Sequence, residues 1–145
     1  SATAIRGEAP KLRLWLKEIK AAMASLDMDP KFAERNVNEG FSGGERKRAE
    51  ILQLELLKPK MAILDETDSG LDVDALRVVS DGINRVKDTG ETGIILITHF
   101  TRILQQVKPD FVHVFRDGHI ITEGGPELAD KIDAEGYAQF VLDPA

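Results

Sequence analysis

Two short, wholly apolar runs, Met61-Ala62-Ile63-Leu64 and Ile94-Ile95-Leu96-Ile97, constrain this 145-residue chain more than anything else in it. Each is too short for a helix and lacks the alternation of a strand with one wet face. Each therefore reads as a strand buried on both faces. Segments of helical spacing precede and separate them. Leu12, Trp15, Leu16, Ile19, Met23 and Leu26 recur at helical intervals, with Pro10 suited to a first turn. Asp29-Pro30 reads as the cap and first turn of a short second helix, and Ser42 opens a third that must end before Pro59. Asp72 can cap a fourth, whose apolar face is Leu76, Val79, Ile83 and Val86. Helices alternating with buried strands predict an α/β fold with a parallel sheet and flanking helices. A short helix then carries Ile103, Leu104 and Val107. Beyond it, 111–115 and 119–122 flank Asp117-Gly118, the signal of a β-hairpin, and Pro126 starts a C-terminal helix.

Composition narrows the partners. The chain is 42% hydrophobic and 30% charged, ordinary for a globular protein, and its net charge is −6. That charge argues against a nucleic acid held by bulk electrostatics. No apolar run approaches the roughly 20 residues a spanning helix needs, so no direct membrane insertion is expected. No basic-then-apolar signal segment opens the chain. There is no cysteine, which excludes cysteine ligation of a metal or cluster by these residues and is compatible with a cytoplasmic setting. The chain opens on Ser1 without a domain-opening strand, and it is expected to be a single incomplete domain cut from a longer protein.

Four short motifs carry candidate chemistry. Ser42-Gly43-Gly44-Glu45 has the form of a capping box, Ser at the N-cap and Glu three residues on. The same geometry suits an anion: two glycines let the backbone approach a phosphate, and a helix start offers free N–H groups. Arg46, Lys47 and Arg48 add positive charge. Asp65-Glu66 closes the first apolar run, where one acid could hold Mg²⁺ and its neighbour could orient an attacking water. Ser69-Gly70-Leu71-Asp72 reads as a turn and a helix cap, and Thr98-His99 follows the second apolar run. Asp65, Glu66 and His99 thus all fall at carboxyl ends of strands, where open α/β sheets gather their ligands. His113 and His119 have no spacing that suggests a metal site. No Gly-Lys dipeptide occurs, so there is no phosphate-cradling loop of the G-x-x-x-x-G-K-[ST] form.

Each motif alone has an ordinary structural role; their joint order is specific. Ser-Gly-Gly, strand–Asp–Glu, Ser-Gly-Leu-Asp and strand–Thr–His resemble, in turn, the signature motif, Walker B with its catalytic Glu, the D-loop and the H-loop of the ABC-type ATPases. The resemblance runs from the helix at Leu12 to the C-terminal hairpin. It implies the C-terminal part of an ABC-type P-loop ATPase domain. Residues 1–58 would then be part of the helical subdomain with the signature, and 59–145 part of the ATPase core. In such a protein Ser42, Gly43, Gly44 and Glu45 would face the γ-phosphate of ATP held by a second subunit, and Asp72 would lie at the dimer interface. Asp65 would hold Mg²⁺ through water, Glu66 would act as general base and His99 would contact the γ-phosphate. The Walker A loop, the adenine-stacking aromatic and the Q-loop have no counterpart here, so the chain by itself is expected to be inactive.

The stretch Asp65-Glu66-Thr67-Asp68-Ser69-Gly70-Leu71-Asp72-Val73-Asp74-Ala75-Leu76 departs from the Asp-Glu-Pro-Thr usual in transport ATPases. With Asn36-Val37-Asn38-Glu39-Gly40-Phe41 and Lys108-Pro109-Asp110-Phe111-Val112-His113-Val114, it resembles the SufC family, the ATPases of SUF iron–sulfur cluster assembly. That resemblance implies a cytosolic, ATP-dependent homodimer working with SufB- and SufD-like scaffold proteins. Two alternatives stand beside it: the ATPase subunit of a membrane ABC transporter, and a truncated interaction module without activity.

Overall fold

A computed structural model describes residues 11–34 and 42–137, and the chain falls into two compact units divided after Thr98. In the first unit, helix α1 (Leu12–Ser25) leads through a 3-10 turn (Pro30–Glu34) toward helix α2 (Gly43–Leu57). Strand β1 (Met61–Asp65), helix α3 (Val73–Asp88) and strand β2 (Gly93–Ile97) follow. Pro10 and the 36–41 segment lie outside the described residues.

The helices form where local chemistry asks for them. Asp29 Oδ1 accepts from the Lys31 N–H at 2.9 Å and starts the 3-10 turn. Asp72 Oδ1 accepts from the Ala75 N–H at 2.8 Å and caps α3. The expected apolar face of α3 is its buried face: Leu76, Val79, Ile83 and Val86 all lie inside. It meets Ile51 and Leu54 of α2, and α2 meets α1, whose Met23 is buried with the following Leu26. The N-terminal half of α1 departs from its apolar spacing. Leu12, Leu14 and Leu16 are exposed, because α1 reaches the α2–α3 core only with its last turns. Arg85 of α3 ties the three helices together, donating to Glu55 Oε1 at 2.7 Å and to Ser25 Oγ at 3.1 Å.

β1 and β2 pair in parallel, Met61 opposite Gly93 through Asp65 opposite Ile97. Thr92 Oγ1 donates to the Pro59 carbonyl at 2.7 Å and holds the base of the pair. The expectation of burial on both faces is corrected here. Met61 and Ile63 are 60% and 63% exposed, and Ile95 and Ile97 are 45% and 48% exposed. These four share one face of the register, and among the described residues nothing of this unit covers it. Leu64, on the other face, is buried.

The second unit opens on His99 and a 3-10 turn (Thr101–Ile103), which buries Ile103 and, just beyond it, Val107. Strands β3 (Val112–Arg116) and β4 (His119–Gly124) form the expected antiparallel hairpin, with an irregularity between Val114 and Phe115. Asp117 and Gly118 both have positive φ, 49° and 82°, as a two-residue turn matched to strand twist requires. Helix α4 (Pro126–Glu135) has Pro126 in its first turn and lays Leu128 and Ile132 on Val114. Asp133 of α4 accepts from the Thr101 hydroxyl and from Gln105 Nε2, holding the 3-10 turn on the helix.

Candidate functional site

The start of α2 is built as its sequence demands. Ser42 Oγ accepts from the Glu45 N–H at 3.3 Å, and Glu45 Oε2 accepts from the Ser42 N–H at 2.7 Å. The capping box is therefore real, and it deals with two of the orphan groups of the helix end. It does not explain the two glycines between. Among the described residues a Cβ on Gly43 or on Gly44 would meet nothing within 4 Å, and neither needs a positive φ. The described residues of this unit thus give no reason for glycine at either position. Open space over a helix start, with first-turn amides that have no intrahelical acceptor, is what an approaching anion would use.

That helix start faces the turn before α3. Ser42, Gly44, Glu45, Arg48, Gly70, Leu71, Asp72 and Ala75 line one open cavity of about 290 Å³. Two motifs nearly thirty residues apart, Ser42-Gly43-Gly44-Glu45 and Ser69-Gly70-Leu71-Asp72, are brought to a single place. Gly70 turns the chain there at φ +72°, a conformation glycine takes without penalty. Gly43 is exposed on the same first turn. Arg48 was legible only as one charge in a basic run. It lies one helical turn past Gly44, enters the cavity wall, and its Nη1 donates to the Asp27 carbonyl at 3.0 Å. The i+4 spacing from Gly44 is the signal that could have found it.

Asp65 and Glu66 stand apart from this cavity, at the carboxyl end of β1, with both side chains exposed. Glu66 has φ +47°, the left-handed region that a residue with a Cβ seldom occupies. Its N–H donates to the Ile97 carbonyl at 2.8 Å, carrying the parallel pairing one step past the strands. Thr67 and Asp68 then turn inward and are fully buried, and the Thr98 hydroxyl donates to Asp68 Oδ2 at 3.0 Å. Sequence reasoning marked Thr67-Asp68 by its likeness to other chains and missed this bond, which only the pairing of β1 with β2 creates. His99 is exposed in the second unit, its ring 4.0 Å from that of Phe100, over which Arg102 lies at 5.4 Å.

Among the described residues no group of three or more His, Cys, Asp or Glu could hold a metal ion. The strand-end acids therefore form no protein cage. Exposed carboxylate oxygens of this kind fit Mg²⁺ that arrives with substrate phosphates and keeps most of its waters. No described helix is long and apolar enough to cross a membrane.

The fold is that of part of an ABC-type ATP-binding cassette. It aligns with a nucleotide-free ATP-binding cassette from an ABC transporter at a TM-score of 0.65 and 22% identity, over 93% of this chain and 53% of that one. It also aligns with an ABC transporter cassette in its ADP conformation at a TM-score of 0.62 and 24% identity, over 87% and 48% of the two chains. In sequence it is 55% identical over 119 residues to the probable ATP-dependent transporter ycf16 of Cyanophora paradoxa, covering 82% of this chain and 46% of that protein. It is 50% identical over 131 residues to vegetative protein 296 of Bacillus subtilis, covering 90% and 50%. It is 49% identical over 132 residues to a probable ABC transporter ATP-binding protein of Streptococcus pyogenes, covering 91% and 51%. No family model matches. The chain spans about half the length of the curated relatives it matches.

Proposed function

We propose that this chain is the part of an ABC-type ATPase that carries the signature motif and the strand-end acids, and that the whole protein hydrolyses ATP at a site shared across a dimer. The observation that carries the reading is the meeting of Ser42, Gly44 and Glu45 with Gly70 and Asp72 around one open cavity, beside two glycines at which a Cβ would meet none of the described residues. Ser42, Gly43, Gly44 and Glu45 face the γ-phosphate of a nucleotide held by the second subunit, the capping box of Ser42 and Glu45 setting the helix start and the two glycines offering its first-turn amides, with Asp72 at the interface. Bound Mg²⁺, held through water by Asp65, would offset charge on the phosphates. Glu66 takes a proton from a water as its oxygen bonds to the γ-phosphorus. The bond from that phosphorus to the β–γ bridging oxygen breaks, and ADP leaves with the electron pair. His99 contacts the γ-phosphate.

More narrowly, we read the whole protein as a SufC-type ATPase of iron–sulfur cluster assembly, cytoplasmic and bound to SufB- and SufD-like scaffold proteins. The Thr67-Asp68 pair supports this, since both residues are buried parts of the turn where a transport ATPase carries Pro-Thr. A transporter subunit is the second reading, and the transporter names of several relatives favour it. Affinity purification of the full-length protein separates the two. Recovery of SufB- and SufD-like proteins supports assembly; recovery of membrane permeases instead overturns it. The ATPase reading itself is tested in full-length Glu66→Gln. Gln keeps the shape but cannot accept the proton, so turnover is expected to fall by roughly 10²–10⁴-fold with nucleotide affinity retained. Turnover near the parent rate would remove Glu66 from the general-base role.

A further inference from the structure

Among the described residues Asp68 is the only acidic side chain that is buried, and the proposed hydrolysis gives it no task. We propose that Asp68 and Thr98 form a clamp that positions Glu66, an inference that rests on the ATPase reading for its catalytic consequence. Glu66 is held in the left-handed region at φ +47°. A residue with a Cβ keeps such a conformation only where its surroundings over-determine it. The surroundings here are specific. On the near side, the Glu66 N–H donates to the Ile97 carbonyl at 2.8 Å. On the far side, two residues along, Asp68 Oδ2 accepts from the Thr98 hydroxyl at 3.0 Å. The two anchor points, Ile97 and Thr98, are consecutive residues at the end of β2. Between them the Glu66 carbonyl accepts from the Ser69 N–H at 3.1 Å and closes the turn.

The backbone of Glu66 is therefore bracketed by bonds to the neighbouring strand, and its side chain leaves the strand end in one direction. Release of the far anchor would let the peptide units at 66 and 67 rotate toward ordinary φ values and swing the carboxylate. The side chain that makes the far bond is inside the protein, so Asp68 and Thr98 would act through Glu66 and touch no substrate. A small misplacement of a reacting group lowers the chemical step far more than it lowers binding.

The test uses the full-length protein. Thr98→Val keeps the shape and removes the donor; Thr98→Ser keeps the donor. Thr98→Val is expected to lower kcat about tenfold or more with nucleotide affinity within about twofold, and Thr98→Ser to recover most of the loss. Adding Thr98→Val to Glu66→Gln should lower turnover no further, since both act on one group. Hydrogen exchange of the amides in 66–71 should quicken in Thr98→Val and return in Thr98→Ser. If Thr98→Val does not fold, Asp68→Asn, which keeps the shape and an acceptor oxygen but removes the charge that strengthens the bond, should give a smaller loss of kcat and a smaller gain in exchange. Unchanged exchange, unchanged kcat in an active protein, or a loss that simply multiplies with that of Glu66→Gln overturns the clamp. A full-length protein that never hydrolyses ATP overturns the ATPase reading instead, and the exchange measurement still decides the clamp.

Discussion

Gly82→Ala sets two effects of known sign against each other. Gly82 is buried in the middle of α3, where alanine is the better helix former by about 0.5–1 kcal/mol. A Cβ there would lie 2.4 Å from Ile51 Cγ2 and 3.2 Å from both Leu26 Cδ2 and Glu55 Oε1. Ile51 and Leu26 are 0% exposed, so neither has space to retreat into. The colliding atom is a β-branch methyl, and β-branched side chains have one strongly preferred rotamer in a helix. Overpacking of this kind costs about 1–3 kcal/mol. The clash should win at mid-range, by about 1 kcal/mol within a span of roughly 0–2.5, and lower the melting temperature by about 2–4 °C. Urea and thermal unfolding of the full-length protein measure it. Ile51→Leu moves the branch from Cβ to Cγ and removes the methyl that collides. The double variant should therefore be more stable than the two single losses add up to, by about 0.5 kcal/mol or more. A melting temperature at or above the parent value for Gly82→Ala would refute the close approach of α2 and α3. A strictly additive double variant would refute Ile51 as the atom in the way.

Two further outcomes are expected. Gly43→Asp should impair ATP-driven dimerisation of the full-length protein, read by light scattering, more than ATP binding, because its carboxylate would stand at a helix start proposed to meet a phosphate across the interface; normal dimerisation would remove the signature assignment. Burial raises Glu55 above its ordinary carboxylate range, while the hydrogen bond and charge of Arg85 pull it back. A raised acid stabilises the fold below its unfolded pKa, and that contribution is lost as pH rises through the folded one. Arg85→Met removes the opposing partner and leaves Glu55 charged and uncompensated at neutral pH. The variant should lose more stability at about pH 7 than at about pH 4, and an equal loss at both would contradict this.

What the chain showed in advance, and what it hid, divides by range. The capping box at Ser42, the Asp72 cap, the Asp117-Gly118 turn and Pro126 at the start of α4 are interactions among residues a few positions apart, so their signals sit in the sequence itself. The strand faces were misread because an apolar run reports what a chain could bury, not what stands beside it. Met61, Ile63, Ile95 and Ile97 present one exposed face among the described residues. The entry of Arg48 into the cavity wall, the Asp68–Thr98 bond and the glycine contact at Ile51 depend on partners twenty or more positions away. No local pattern encodes those.

The glycines give the sharpest separation of the two kinds of knowledge. Gly118 is explained by its turn and Gly82 by its neighbours, and replacing either would disturb the protein's own structure. Gly43 and Gly44 are explained by neither, since a Cβ at each would meet none of the described residues within 4 Å. In mid-helix, glycine is less stable than alanine by about 0.5–1 kcal/mol, and the first turn of α2 bears some of that twice over. A fold does not accept that penalty for its own stability. What makes glycine useful at these two positions is not found among the described residues of the unit, and the proposed site supplies it as a ligand close to the backbone and fitted to helix-start donors. A nucleotide phosphate presented by a second subunit meets each of those conditions.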